Sequence, residues 1–153
     1  NAFHYSAAIS ACDRGGQWAW ASELLSTAVR DAVELDTIAR NAAIVACSSG
    51  SRWAAALDLL AAMAPSKVRC NTVTYNAAIS ACEGDGQWTA ALELLEETTK
   101  AGIEGDTITF CAVISACAKG MHWAAALDLL RAMVWTKVNQ NTIAYNAAIS
   151  ACG

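Results

Sequence analysis

The side chains best suited to chemistry in this sequence are seven cysteines and two histidines. Such residues bind zinc when they occur in closely spaced groups such as Cys-x-x-Cys, but the sequence contains no such pair. His4 and His122 lie far apart and have no partners at ligand spacing. Five cysteines recur every 35 residues, at Cys12, Cys47, Cys82, Cys117 and Cys152. We therefore predict no metal site, and a reduced thiol that fills a small core position once in each copy of a repeated unit.

No motif for catalysis or for a cofactor accompanies these residues. A phosphate-binding glycine loop, a dinucleotide fingerprint and a nucleophile elbow are all missing from the sequence. The net charge of −4, from 10 basic and 14 acidic residues, excludes a strongly basic nucleic-acid coat but allows a local basic groove. No run reaches the roughly 18 uninterrupted apolar residues of a membrane span. We therefore predict a protein that is not an enzyme, carries no cofactor and does not insert into a membrane.

The period of 35 residues extends to other residue types and organises the whole chain. Tryptophan recurs at the same interval, at Trp18, Trp53, Trp88 and Trp123. The 153 residues therefore form a single array of four units and one half unit, near residues 2–36, 37–71, 72–106, 107–141 and 142–153. A period of this size is typical of solenoid proteins, in which each unit covers the apolar side of its neighbour.

Each unit divides into two short helices, as the third unit illustrates. Asn71 can cap the first helix with its side-chain oxygen, and Gly84 and Gly86 end it, because glycine adopts left-handed conformations without steric cost. The second helix begins near Trp88 and carries one apolar face with helical spacing, formed by Trp88, Ala91, Leu92 and Leu95. The sequence therefore predicts a right-handed all-α solenoid of helix-turn-helix hairpins, with a concave and a convex face.

Two strings in the first helices carry a family resemblance: Val73-Thr-Tyr-Asn76 and Ile143-Ala-Tyr-Asn146, each followed by Ala-Ala-Ile-Ser. Variants of them are Ile108-Thr-Phe-Cys111 and Ile38-Ala-Arg-Asn41. Together with the period, these strings resemble the pentatricopeptide repeat family over essentially the whole chain. The chain departs from the family pattern where a proline usually precedes the last residue of each repeat, since Leu35, Cys70, Gly105 and Gln140 stand there.

The resemblance implies that the array binds single-stranded RNA, with about one base per repeat read by two or three side chains. In the family, a residue of the first helix acts together with the last residue of the repeat. The implied pairs are Ser6 with Asp36, Asn41 with Asn71, Asn76 with Asp106 and Cys111 with Asn141, and Asn146 begins a fifth. By the family's code these are, in order, a guanosine-leaning pair, a pyrimidine reader, a uridine reader and a pair weakened by Cys111, which lacks the hydrogen-bonding groups of an amide.

The resemblance also implies contacts to the faces of the bases and to the phosphates. The apolar residues that would sandwich each base are Phe3, Ile38, Val73, Ile108 and Ile143. A basic residue near the end of each first helix would contact the RNA backbone. Arg14 and Lys119 hold that position, whereas Ser49 and Gly84 cannot make the contact. Half of the expected phosphate contacts are therefore missing.

Each of these sets also has a purely structural interpretation. The last residues of the repeats could serve only as helix caps. The apolar set that begins at Phe3 could be plain core, and the two basic residues could be solvated helix ends. The repeated Asn of the first helix is harder to explain by structure, because Asn is a poor residue inside a helix. This Asn, at Asn41, Asn76 and Asn146, is therefore the best single hint of a reading function.

Two functions remain open at this stage. The first is RNA binding in an organelle, a plastid or mitochondrion by family resemblance, for RNA processing, stability or translation. The second is a protein-interaction scaffold or a structural subunit of a large organellar assembly such as a ribosome or photosynthetic complex. In both, the RNA or protein partner lies on the concave face.

The helix near residues 143–153 lacks the polar outer face that a terminal repeat normally has, so we expect a continuation of the array or a partner to cover it. Reduced cysteines favour a reducing compartment, and only Cys70 and Cys111 break the period.

Overall fold

The computed structural model describes residues 2–31, 37–49, 52–63, 70–136, 138 and 141–152. This part of the chain forms nine α-helices and contains no strand. In chain order the helices are α1 (Ala2–Arg14), α2 (Trp18–Arg30), α3 (Thr37–Ser49), α4 (Trp53–Met63), α5 (Thr72–Gly84), α6 (Trp88–Lys100), α7 (Thr107–Lys119), α8 (Trp123–Trp135) and α9 (Thr142–Cys152).

The helices pair into hairpins that stack in two layers. The first helices of the hairpins, α1, α3, α5, α7 and α9, pack in sequence against one another. The second helices, α2, α4, α6 and α8, each pack against the first helix of their own hairpin and the first helix that follows. Each hairpin is therefore covered by the next first helix, which confirms the predicted all-α repeat of helical hairpins.

The buried face of α6 is wider than the apolar face that the sequence predicts. Its buried residues are Ala90, Ala91, Leu94 and Thr98. Of the predicted face, Ala91 is fully buried, and Trp88, Leu92 and Leu95 are partly buried and pack against the core. The reason is that α6 lies between α5 and α7 and must cover both, so its apolar surface is wider than a single stripe.

The periodic cysteines occupy the core where the stack is complete. Cys47, Cys82 and Cys117 are fully buried free thiols. Burial raises the pKa of Cys82 and of Cys117 to about 11, so both thiols stay protonated and unreactive at neutral pH. Cys12 is half-buried and Cys152 is exposed. These two depart from the prediction because α1 and α9 are the outermost first helices of the described stack and have a neighbouring first helix on one side only.

Capping boxes begin two of the first helices. The Asn71 side-chain Oδ1 accepts the backbone N–H of Thr74 at 3.0 Å, and the Thr74 hydroxyl accepts the backbone N–H of Asn71 at 3.1 Å. Asp106 and Thr109 form the same reciprocal pair before α7, at 2.9 and 3.0 Å. Asn141 caps α9 by accepting a backbone N–H of its first turn at 2.9 Å. These residues therefore are helix caps, and each still has a second polar side-chain atom.

Two of the repeated tryptophans pack on the turn of the following hairpin. The guanidinium carbon of Arg52 lies 4.2 Å from the ring centroid of Trp18. The ring centroids of Trp88 and His122 are 3.7 Å apart. Gly120 in the same turn has no room for a side chain, because a Cβ there would collide with Cδ1 of Trp88. The period of the tryptophans thus reflects contacts between neighbouring hairpins.

Candidate nucleic-acid interface

A row of exposed apolar side chains follows the amino-terminal ends of the first helices. Each member is the second residue of its helix and is exposed, by 76% at Phe3, 73% at Ile38, 58% at Val73, 63% at Ile108 and 65% at Ile143. The alternative that this set is plain core is therefore wrong. Apolar side chains spaced regularly in solvent form a surface on which planar bases can stack.

Beside this row, the predicted pair Asn76 and Asp106 is in direct contact. Asn76 Nδ2 donates a hydrogen bond to Asp106 Oδ1 at 3.2 Å. The hydroxyl of the fully buried Thr109 donates to Asn76 Oδ1 at 2.6 Å. Asn76 lies on α5 and Thr109 on α7, so these bonds join two successive first helices through the pair itself.

The pair Asn41 and Asn71 has a closely related arrangement one repeat earlier. The buried Thr74 hydroxyl donates to Asn41 Oδ1 at 2.7 Å, while Asn71 Oδ1 accepts the Thr74 backbone N–H. The expectation that structure hardly explains the repeated Asn is therefore wrong for Asn41 and Asn76. Each binds a buried threonine of the next first helix, 33 residues further along the chain.

The pair Cys111 and Asn141 is built differently. The Cys111 thiol donates to Asn141 Oδ1 at 3.4 Å. The place of the buried threonine is taken by Ala144, which is also fully buried but has no hydroxyl. The fourth pair therefore lacks the hydroxyl bridge between successive helices that the second and third pairs have.

The outermost predicted reading residues are less completely defined. Ser6 is half-buried on α1, and Asp36, its predicted partner, lies outside the described residues. Asn146 is exposed on α9. The structure therefore brings together three of the predicted pairs.

Capping occupies one polar atom of each last residue and leaves another for a ligand. Asp106 Oδ1 accepts the cap bonds, and Oδ2 can still accept. In Asn71 and Asn141 the Nδ2 group has no hydrogen-bond partner within the described part of the chain. Burial raises the pKa of Asp106, but hydrogen bonds, chiefly from the backbone and hydroxyl of Thr109, outweigh burial and hold that pKa below its ordinary value. At neutral pH Asp106 therefore presents an ionised acceptor, whereas the two asparagines present donors.

The two basic residues predicted to contact phosphates lie in the last turns of α1 and α7. Arg14 is exposed, and its Nε donates to the carbonyl of Ser10 at 3.3 Å. Lys119 Nζ lies 3.6 Å from a carboxylate oxygen of Glu83, at the end of the preceding first helix. Both cations lie where they stabilise a helix carboxyl end, and Lys119 is already paired with an acid.

One residue that the sequence prediction missed, Glu83, belongs to the same surface. Its Oε1 accepts a hydrogen bond from the Ser115 hydroxyl at 2.8 Å. Together with Ile108, Cys111 and Asn141 it lines a cavity of about 250 Å³. The signal in the sequence was a carboxylate in the last turn of a predicted helix, where the macrodipole disfavours negative charge.

The two cysteines outside the period, Cys70 and Cys111, are half-buried free thiols, and burial raises the pKa of both. Among the described residues, no three His, Cys, Asp or Glu side chains come together as a possible metal site. None of the described helices has the length and apolar character needed to cross a membrane.

Family models match most of the chain. The model of the PPR repeat family matches residues 70–119, the pentatricopeptide repeat domain matches residues 23–85, and the PPR repeat matches residues 108–136. Together the matches span residues 23–136. No curated protein matches the chain.

Solved structures with a similar fold include RNA complexes. The PPR domain of Arabidopsis thaliana protein-only RNase P 1, in complex with tRNA, is 18% identical with a TM-score of 0.81, and the match covers 94% of this chain and 76% of that chain. PPR10 in complex with an 18-nucleotide psaJ RNA element is 22% identical with a TM-score of 0.83, covering 99% and 22%. PPR10 from maize is 16% identical with a TM-score of 0.83 over the same shares. The chain therefore has the right-handed solenoid fold of these proteins and spans about a fifth of the PPR10 chain.

Proposed function

Because this chain belongs to the pentatricopeptide repeat family, we propose that it binds single-stranded RNA along its first helices and catalyses no reaction on it. The observation that carries the proposal is the row of five exposed apolar side chains beside the polar pairs. Two structures of similar fold, one with tRNA and one with a psaJ RNA element, add support.

In the proposed binding mode, each base stacks between the apolar side chains of two successive first helices. Val73 and Ile108, for example, are 58% and 63% exposed and flank the Asn76–Asp106 pair. Aromatic side chains in such positions contribute about 1–3 kcal/mol per base, and packing on apolar side chains does not depend on which base is packed, because every base has a flat face. Base preference must therefore come from the polar groups at the edge of the stack.

At the Asn76–Asp106 pair the free polar groups complement uracil. Asp106 Oδ2 can accept from the N3–H of the base, and the second hydrogen of Asn76 Nδ2 can donate to a carbonyl oxygen of the base. Cytosine presents a lone pair at N3, which the ionised Asp106 would repel. This geometry supports uridine as the base read by this pair.

At the Asn41–Asn71 pair the free groups are both donors. The Oδ1 atoms of both residues are occupied, by the Thr74 hydroxyl and by the helix cap. Cytosine presents two neighbouring acceptors, N3 and O2, whereas uracil presents a donor at N3. We therefore propose that this pair, which was predicted to read a pyrimidine, prefers cytidine. For Ser6 with Asp36 the proposal stays guanosine.

Exchange of the two last residues tests this reading. Asp106→Asn keeps the capping oxygen but replaces the free acceptor with a donor. The preferred base should therefore change from uridine to cytidine, with a change of about tenfold in the ratio of the two affinities. Asn71→Asp makes the opposite change one repeat earlier and serves as the matched control. The measurement is selection from a randomised RNA pool, followed by anisotropy titration of single oligonucleotides. Unchanged base preferences in both variants, with thermal unfolding like that of the parent chain, would contradict the reading role.

Binding to these units alone should be weak and should depend little on salt. The chain has 10 basic and 14 acidic residues, and Lys119 is paired with Glu83. Few phosphates are therefore neutralised, and the salt dependence of RNA binding scales with that number.

The proposed setting is a plastid or mitochondrion, where the bound RNA would be processed, stabilised or made available for translation. Proteins of this family are typically organellar. All seven cysteines are free thiols, which fits the proposed reducing compartment.

A protein-interaction scaffold is a second candidate, because the α8–α9 end exposes large apolar side chains. Trp123, Trp135 and Ile149 are 56%, 85% and 68% exposed, whereas Ile114, one repeat before Ile149, is fully buried. A further hairpin or a partner protein would cover this surface. We expect Ile149→Glu to abolish binding of such a partner and to leave RNA selection unchanged. A chain that selects no RNA but forms a stoichiometric complex sensitive to this variant would favour the scaffold.

A further inference from the structure

The cavity at the Cys111–Asn141 pair is also lined by an acidic residue, Glu83, which does not belong to any of the predicted base-reading pairs. The cavity has a volume of about 250 Å³, and the exposed side chains of Ile108 and Ile143 are among the residues that line it. Glu83 lines the same cavity from the end of α5. A base stacked between the two isoleucines would therefore meet three polar residues instead of two.

Glu83 is held in place through one of its two carboxylate oxygens. Oε1 accepts the Ser115 hydroxyl at 2.8 Å and lies 3.6 Å from Lys119 Nζ. Oε2 has no hydrogen-bond partner in the part of the chain that the structure describes. Ser115 is one helical turn from Cys111, about 6 Å along the axis of α7, so the carboxylate lies close to the pair. Glu83 thus offers an oriented acceptor to a ligand in the cavity.

Asn141 offers the complementary donor. Its Oδ1 is occupied by the helix cap at 2.9 Å and by the Cys111 thiol at 3.4 Å. Its Nδ2 has no partner among the described residues and can donate. Burial raises the pKa of Cys111, so its thiol stays protonated and keeps donating to Asn141. A ligand in the cavity therefore meets one free donor and one free acceptor.

We propose that Glu83 is a third base-contacting residue at this site, and that the site takes an amine-bearing base, cytosine or adenine; this rests on the RNA-binding function proposed above. Cytosine has an acceptor, N3, beside its N4 amine, and adenine has an acceptor, N1, beside its N6 amine. Asn141 would donate to the ring nitrogen while Glu83 accepts from the amine.

The same arrangement disfavours uracil and guanine. Each has a ring N–H where cytosine and adenine have a lone pair, and a carbonyl oxygen where they have an amine. A donor would then face Asn141 Nδ2, and a carbonyl oxygen would face the Glu83 carboxylate. The discrimination follows the hydrogen-bond pattern of the base and not its size, because both ring sizes can stack between Ile108 and Ile143.

Glu83→Gln is the direct test, because glutamine keeps the side-chain length and an oxygen for Ser115 while it replaces the free acceptor with a donor. We expect the full chain to select cytidine or adenosine at the nucleotide next to the uridine of the Asn76–Asp106 pair. In the variant, the ratio of affinities that favours cytidine or adenosine over the other two bases should fall about tenfold. The measurement is sequencing of RNA selected from a randomised pool, followed by anisotropy titration of oligonucleotides that differ at this nucleotide. Glu23→Gln, at an exposed glutamate of α2, is the matched control for charge.

Asn141→Asp provides a second variant that leaves Glu83 in place. Aspartate keeps the capping oxygen but turns the free donor into an acceptor, so the site would present two acceptors. The ring lone pair of cytosine or adenine would then face a carboxylate instead of an amide donor. We expect the preference for cytidine and adenosine to be lost.

The outcomes separate this inference from the proposed function. Loss of the preference for cytidine and adenosine in E83Q and in N141D, but not in E23Q, supports the role of Glu83. An equal change in affinity for all four bases in E83Q, or the same preferences in all these chains, overturns that role while uridine selection at the Asn76–Asp106 pair still supports RNA reading. A parent chain that selects no RNA at all overturns both proposals.

Discussion

The Asn76–Asp106 and Cys111–Asn141 sites occupy equivalent places one repeat apart, yet their side chains are used differently. At the first site the buried Thr109 hydroxyl bridges Asn76 and the helix cap, so the pair also holds two first helices together. At the second site this hydroxyl is absent, and the contact between the pair residues is a thiol hydrogen bond at 3.4 Å. The residue proposed to read a base is therefore coupled to the packing of the next hairpin.

The same coupling is visible along the sequence. Where the residue 33 positions further on is threonine, the first-helix residue is Asn, as in Asn41 with Thr74 and Asn76 with Thr109. Where that later residue is alanine, the first-helix residue is Ser6 or Cys111. An amide oxygen needs a donor when it is partly buried, and the threonine hydroxyl supplies one. Where the later residue has no hydroxyl, the first-helix position holds a smaller side chain, serine or cysteine, which does not require such a hydrogen-bond donor.

Removal of the Thr109 hydroxyl should produce the largest change in this comparison. Thr109→Val keeps the shape of the side chain but leaves Asn76 Oδ1 and the Asp106 backbone N–H without their protein partner. We expect the free energy of unfolding to fall by about 2–3 kcal/mol, since a buried polar group then loses its hydrogen bond. Urea unfolding followed by circular dichroism measures the difference.

Thr99→Val is the matched control for that variant. Thr99 is exposed on α6, and its hydroxyl bonds only to the Leu95 carbonyl of its own helix, at 3.0 Å. Its substitution should change the free energy of unfolding by less than about 0.5 kcal/mol. Similar losses in T99V and T109V would show that the bridge between the first helices adds no stability.

The next largest effect should distinguish two asparagines at equivalent positions. Asn76→Ala removes bonds to Thr109 and Asp106, so we expect a loss of about 1–2 kcal/mol in the free energy of unfolding. Asn146 is exposed and has no hydrogen-bond partner among the described residues, so Asn146→Ala should have almost no effect or stabilise α9 slightly. The same unfolding measurement serves both variants. Equal losses would mean that the effect comes from helix propensity and not from the bridge.

The sequence predicted contacts between residues that are close in the chain and missed contacts between residues about one repeat apart. Local ones were predictable: the Asn71 cap binds Thr74 three residues away, and the period of Cys82 marks the hairpin core. The contact of Glu83 with Ser115 spans 32 residues, and that of Asn76 with Thr109 spans 33. Such contacts depend on the register between successive first helices, which composition and spacing within one unit do not specify.

A smaller effect than that of Asn76→Ala should come from transfer of the bridge to the fourth site. Cys111→Asn combined with Ala144→Thr supplies the amide and the hydroxyl that join Asn76 and Thr109 one repeat earlier. Each single change leaves a polar group without its partner, whereas the double change pairs them, so the two effects should differ from additivity by about 1 kcal/mol in favour of the double variant. A double-mutant cycle measured by urea unfolding gives this coupling energy. Strict additivity would mean that the register between α7 and α9 differs from that between α5 and α7. The Asn76–Asp106 and Cys111–Asn141 sites would then not be structurally equivalent.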